Sequence, residues 1–469
     1  MKTGDQVVQE LPWKWGVQGK IFIIGGLGYM FDAWDVALNG FLTPLLGTYW
    51  DLTTAERGLV ATGNLVGMAV GAVVWGTLAD RMGRKRAFSL TLLIFALFSV
   101  LGAFSPNFEV FILLRFLAGF GLGGCIPVDY ALVSEFSPRK IRGKVLSAMD
   151  VWWPIGATVC GVVATLLVPI DGDVRWRYML LFMVLPALLL FWVRRGIPES
   201  PIYLAKVGRE AEARAVIDDM VERTGAPVVE YAIVPETESR GPGGLRAGWT
   251  QLKSVWTYSP GITATAWMLF VSIMLLYYAA LSWMPSILRA EGYGEFAAFA
   301  GTTLMTGVGI VGVLTSALLV EVFGRKWVIG LSGPVAGAAL VLFAMMLDVQ
   351  SVALIWLGIF GFVIQLTIPV LYCYVSELYP TTIRASGFGY ASSVSRVATG
   401  FAPLLFGSVM WPILGLPLTF GIVTAFVVFA VLWMSYFAPE TKNRELDTLV
   451  DDSTIDGGTP DAVGGEVRV

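Results

Sequence analysis

The sequence predicts an all-α membrane protein, with twelve transmembrane helices in two pseudo-symmetric bundles of six. Three observations carry this: the composition, a series of apolar runs of helical length, and landmarks that recur half a chain apart. Of 469 residues, 56% are hydrophobic and only 14% charged, and the mean hydropathy is +0.71. Soluble chains are about 25% charged and could not bury so much apolar surface. The net charge of -3 supplies no basic field for nucleic acid. Cys125, Cys160 and Cys373 fall in apolar stretches without metal-type spacing, so neither a disulfide nor a metal site is expected. The chain has no histidine, which leaves proton chemistry near neutral pH to carboxylates. The first twenty residues lack an apolar core and are not expected to form a signal peptide.

Apolar runs lie near 21–46, 57–78, 87–104, 109–134, 145–169 and 177–195, then near 259–287, 297–320, 327–346, 351–377, 387–411 and 415–437. Each is long enough to cross a bilayer. The expected organisation is a first bundle at 1–195, a linker at 196–258, a second bundle at 259–437 and a tail at 438–469. The loops "DRMGRKR" (80–86), "SPRKIRGK" (137–144) and "FGRK" (323–326) are basic and should stay in the cytoplasm. Both termini and the linker then lie on that side of a plasma (inner) membrane. Within the linker, "GREAEARAVIDDMVERTG" reads as a short surface helix and "ESRGPGGLRAG" as a flexible stretch. The halves repeat. "GTLADRMGRKR" follows the second run and "SALLVEVFGRK" the eighth; "SEFSPRKIRG" follows the fourth and "SELYPTTIRASG" the tenth; "PESP" and "PETK" follow the sixth and twelfth. A duplicated six-helix unit is the build of a transporter that rocks two halves about a central site.

These motifs resemble those of the major facilitator superfamily. Gly76, Asp80, Arg81, Gly83, Arg84, Lys85 and Arg86 match its loop between the second and third helices, and "RFLAGFGLGG" matches its fourth helix through Arg115, Gly119, Gly121 and Gly123. "DAWDVALNGF" looks like the first helix of aromatic-acid/proton symporters and of niacin permeases. "GGCIPVDYALVSEFSP" is similar to niacin permeases and the synaptic-vesicle-protein group, and "PESP" and "PETK" are marks of sugar porters. The resemblance implies alternating access by the twelve-helix fold, with a first-helix carboxylate at Asp35 as the proton site.

The residues themselves point the same way. Asp32 and Asp35 share one helical face, with Asn39 one turn further. Two carboxylates in a dry site cannot both ionise cheaply, so one is expected to hold a proton. Asp35 lies about 14 residues, or about 21 Å, along its helix, at the depth of Arg115 in the antiparallel fourth helix. An Arg there needs a carboxylate, and an Asp35–Arg115 pair is the expected one; either Asp could instead serve as a cap or structural ion-pair partner. Asp129 either neutralises a basic loop or faces the cavity; Asp150, near the membrane surface, is expected to be structural. Arg396, with no acidic residue in its own helix, is either the partner of Glu377 or a two-pronged clamp for a substrate carboxylate.

Trp153, Tyr277, Tyr278, Gln365 and Tyr372, with Trp152 and Trp283, are candidate cavity residues suited to a flat ring, and Asn39 is a further substrate-binding candidate. At the basic end, Asp80, Arg81, Arg84, Glu135 and Arg142, and in the second half Glu321, Arg325, Glu377 and Arg384, form an expected latch of ion pairs that holds one conformation and breaks in the other. The leading expectation is a monomeric, proton-coupled symporter of a small aromatic or heterocyclic carboxylate such as niacin. A sugar or polyol symporter and an organic-cation antiporter are the alternatives. With no metal cluster, nucleotide loop or large soluble domain in the sequence, neither an enzyme nor a cofactor is expected.

Overall fold

The computed structural model describes residues 2–233, 245–380 and 383–442, and these are almost wholly helical. Span 1 (Lys20–Tyr49) is entered through a wide π-type turn at Trp15–Gly19. Span 2 (Thr54–Met82) starts at a capping box in which Thr53 and Glu56 satisfy each other's backbone. Span 3 is Arg84–Gly102. Span 4 comes in two pieces, Phe108–Leu122 and Cys125–Phe136, as do span 5 (Arg142–Met149, Trp152–Leu166) and span 6 (Gly172–Leu181, Val184–Gly196). In the second half, spans 7 to 10 are Pro260–Ala290, Glu295–Phe323, Arg325–Met345 and Gln350–Glu377. Span 11 (Arg384–Leu405) continues in π-type winding to Leu414, and span 12 is Leu416–Phe437. Among the described residues, eleven helices are long and apolar enough to cross a membrane; the broken span 4 makes the twelfth.

Helices apolar on all sides offer no stripe to direct packing, so small residues decide it. Gly119 and Gly123 of span 4 sit where a Cβ would come within 2.0 Å of the carbonyl oxygens of Asn64 and Met68 in span 2. Their counterpart is Gly361 of span 10, at 2.0 Å from the Met305 carbonyl of span 8. The two bundles thus use the same close crossing, as the sequence repeat suggests. Gly83 and Gly324, both at positive φ, turn the chain into spans 3 and 9. The helix starts that follow are capped by carboxylates from the repeated "PES" and "PET". Glu199 accepts from Lys85 N at 3.1 Å, and Glu440 accepts from Arg325 N and Lys326 N at 3.0 Å.

The linker is more structured than a connector. It contains Pro201–Lys206, Glu210–Thr224 and Leu245–Tyr258. The flexible stretch expected at 238–248 lies outside the described residues as far as 244; from Leu245 the chain is already helical. The N-terminus joins the linker, with Lys2–Thr3 in parallel pairing with Tyr231–Ala232.

The halves meet at the end opposite the basic loops. Leu404 N donates to Thr62 Oγ1 at 3.2 Å, Thr158 to Thr306 at 3.2 Å, and Phe41 meets Phe299 edge-on at 5.2 Å. Buried Arg175, at the start of span 6, pairs with Glu295 at the start of span 8 at 3.1 Å. This ion pair must break for that end to open. Glu295→Gln is therefore expected to raise the labelling rate of cysteines introduced beside Thr62 from that face, with unchanged rates contradicting a gating role.

Candidate functional site

Two carboxylates one turn apart on span 1 meet opposite surroundings. Asp35 is fully buried and saturated. Arg115 Nη1 and Nη2 donate to its two carboxylate oxygens at 2.8 and 2.9 Å. Asn64 Nδ2 of span 2 donates at 2.9 Å and Ser99 of span 3 at 3.4 Å. The guanidinium also donates to Asn39 Oδ1, at 2.9 Å from Nη2 and 3.2 Å from Nε. Asn39 in turn donates to Asn64 at 3.0 Å. Every partner lies in the first bundle, so this is an anchor tying spans 1, 2 and 4 together. Removing one member of a buried pair leaves an unbalanced charge. Asp35→Asn is expected to destabilise the protein by about 3–5 kcal/mol, read as a large fall in thermal midpoint; an unchanged midpoint would mean the pair is not structural.

Asp32 is equally buried, yet among the described residues neither of its oxygens accepts a hydrogen bond; the same holds for Asp129 of span 4. The two face each other electrostatically. Gly28 makes the approach possible, because a Cβ there would come within 2.8 Å of Asp129 Oδ2. Of the two placements open to Asp129, the structure adopts the inward one, against span 1 rather than at a basic loop. The Cys125 thiol stands beside both carboxyls and turns to Thr91 Oγ1 at 3.4 Å.

Arg396 of span 11 lies within electrostatic reach of Asp32. Its guanidinium makes no hydrogen bond or ion pair among the described residues, and it bears electrostatically on Asp32, Tyr278 and Tyr372. It is not the partner of Glu377, which is taken by Arg325. Tyr29 of span 1 faces the same space, within electrostatic reach of Asp32, Tyr278 and Tyr372, and packs on Trp153 at 5.3 Å. Tyr372 stacks on Phe270 at 5.5 Å. The Tyr277 hydroxyl accepts from Trp153 Nε1 of the first half and Gln365 Nε2 of the second, both at 2.9 Å. Its lone pairs are thereby used, and its own hydrogen is left to donate. Of the other two candidates, Trp152 packs against Gly26 at the edge of span 1, and Trp283 donates to the Pro403 carbonyl at the closed end. Asp150 sits in the break of span 5 and accepts from Tyr130 at 2.6 Å.

A family model described as sugar (and other) transporter matches residues 22–451. The chain belongs to that family. It is a multi-pass membrane transporter of small molecules, of the major facilitator fold, and not an enzyme. The transporter is 32% identical over 425 residues to the niacin transporter of Acinetobacter baylyi, covering 90% of this chain and 94% of that one. It is 31% identical over 440 residues to a putative niacin/nicotinamide transporter of Bacillus subtilis, covering 92% and 98%. A partially occluded inward-open structure of the xylose transporter of E. coli aligns with a TM-score of 0.75 at 19% identity, over 91% of this chain and 99% of that one; this likeness concerns the fold.

The latch residues of the transporter form ion pairs between neighbouring helix ends. Arg84 pairs with Glu135 at 3.1 Å, and Arg325 grips Glu377 through Nε and Nη2 at 3.0 and 3.1 Å, with Glu321 at 3.7 Å. Both pairs lie within one bundle and are formed while the opposite end is closed, so neither is a clasp between the halves. Arg142 and Arg384 do not reach Glu135 and Glu377. Each turns back across the Pro turn to a carbonyl, Ser137 and Tyr379 respectively, at 3.3 Å. Arg81 is exposed, with its carbonyl accepting from Tyr203 at 3.0 Å. The side chain of Asp80 lies outside the described residues. Sequence reasoning missed Tyr29, Asn64 and Cys125. Only Tyr29 left a signal, three residues before Asp32 and so on the same face.

Proposed function

We propose that the chain is a proton-coupled symporter of a small organic anion, with a single-ring aromatic or heteroaromatic monocarboxylate such as niacin as the substrate. It would work as a monomer by alternating access in the plasma (inner) membrane, with both termini cytoplasmic. The observation that carries this reading is Arg396, an intramembrane guanidinium with no hydrogen bond or ion pair among the described residues, within electrostatic reach of Asp32, whose carboxyl oxygens accept no hydrogen bond there either. An Arg in the membrane interior needs an anion, and here the substrate supplies it. The names of the two niacin-related relatives agree with that chemistry.

Coupling follows from Coulomb's law. Ionised Asp32 draws on the field of Arg396 and repels a second carboxylate. Once Asp32 or Asp129 holds a proton, the charge of Arg396 is free to bind the substrate anion. Proton and anion each raise the other's affinity by the same factor, and their joint charge is zero, which eases movement of the loaded halves. Tyr278, Tyr372 and Trp153 offer faces and edges to a flat ring, and the Tyr277 hydroxyl offers a hydrogen to a ring nitrogen or carboxylate. In this assignment Asp32 and Asp129 carry the proton, while Asp35 holds Arg115. With the basic loops cytoplasmic, the closed end is the outer one.

A sugar would need free amides. Asn39 and Asn64 are used on Arg115 and Asp35, and Gln365 on Tyr277. Counterflow in proteoliposomes tests the reading. Internal unlabelled niacin is expected to draw labelled niacin in transiently, with competition by benzoate and none by xylose. Competition by xylose alone would replace the acid by a sugar.

A further inference from the structure

A second cavity, of about 260 Å³, lies at the basic-loop end of the first bundle, apart from the transport site. Four cationic residues line it: Lys20 at the start of span 1, Lys85 in span 3, Arg195 at the end of span 6, and Arg223 of the linker helix Glu210–Thr224. The one acidic residue in the lining, Asp219, is paired with Arg223 at 3.2 Å. The side chains of Lys20 and Arg195 make no hydrogen bond or ion pair among the described residues. Their placement is nevertheless specific. A Cβ on Gly196 would come within 2.8 Å of Lys20 Cε, so the glycine is what lets the lysine stem lie across the end of span 6, next to Arg195.

Like charges gathered around a cavity repel unless an anion sits among them. A topology signal accounts for basic residues in loops, but not for their convergence from three span ends and a linker helix on one cavity. The depth indicates where the anion comes from. The cavity opens where spans 1 and 6 end, and Trp15, Phe191 and Trp192 stand exposed in the same two segments, at 66%, 63% and 62%, as aromatic residues do at a membrane interface. Headgroup phosphates of the adjacent leaflet lie at that level.

We infer that this cavity binds the phosphate of an anionic phospholipid headgroup, with Lys20 and Arg195 as its principal contacts and the linker helix as its roof. The site is independent of the transport reaction assigned above.

Native mass spectrometry of the full chain, purified from mixed phosphatidylglycerol and phosphatidylcholine membranes, tests this. The wild type is expected to retain phosphatidylglycerol in preference to phosphatidylcholine. A basic side chain near the surface contributes about fivefold, so Lys20→Gln with Arg195→Gln should lower retention by about 25-fold. Arg209→Gln, an exposed linker cation paired with Glu212, should retain as much as wild type. Equal retention by the double variant would overturn the proposal, as would an equal loss in the Arg209 variant. A second arm separates lipid from free phosphate through the rate of Lys20 acetylation. Protection by phosphatidylglycerol vesicles and not by inorganic phosphate is expected; equal protection by inorganic phosphate would overturn the lipid assignment in favour of a soluble phosphate.

Discussion

Asp32→Asn is expected to convert the transporter into an exchanger. The asparagine keeps the size of the side chain but cannot gain or lose the proton, so Arg396 stays available to the substrate at every pH. Uptake against a gradient should fall to simple equilibration, while exchange of labelled for unlabelled substrate continues. Substrate affinity in the wild type should rise as the pH falls, because the protonated carboxyl releases the field of Arg396; in the variant that dependence should flatten. Asp129→Asn should weaken the pH dependence without abolishing binding. If instead a folded Asp35→Asn protein exchanges freely while Asp32→Asn still concentrates substrate, the proton resides at the Arg115 pair.

Arg396→Ala should lose most affinity for the acid, by about 2–5 kcal/mol for a desolvated charge pair, or about thirtyfold and more in Kd. Arg396→Lys should bind poorly too, because an ammonium is a point charge where a planar fork is needed. The amide of the same ring should bind the wild type weakly and lose little more in either variant. Acid and amide measured in both proteins form a double cycle that isolates the carboxylate contact. Equal losses for both ligands would make Arg396 structural and return the sugar reading to the front.

Much of the architecture is written in local sequence. Each span is an apolar run, and the close crossing of spans 2 and 4 follows from Gly119 and Gly123. The Asp35–Arg115 pair could be foreseen because a carboxylate on a helix running one way and a guanidinium on its antiparallel neighbour sit at the same depth. Other features depend on how helices are rotated, which periodicity does not reveal in a helix apolar on all sides. The approach of Asp129 to Asp32 is one of these, since it depends on Gly28 facing span 4. Which of the two span-1 carboxylates is saturated is another, since it depends on Asn64 and Ser99 arriving from spans 2 and 3. Arg384 looked like a partner of Glu377 because it follows closely in the chain; the intervening Pro turn sends it, like Arg142 in the first half, to a carbonyl. The pairing of Lys2–Thr3 with Tyr231–Ala232 joins segments too distant in the chain to leave any local pattern.

The central claim is that one binding event carries both an anion and a proton. Its most direct measurement is the pH change when niacin, added at matched pH as its sodium salt, binds purified transporter in weakly buffered detergent solution. The solution should turn alkaline as the protein takes up protons, in proportion to ligand bound, and nicotinamide should cause no such change. The uptake should vanish in Asp32→Asn while niacin still binds. Niacin binding to the wild type with no proton uptake at any pH would contradict the account.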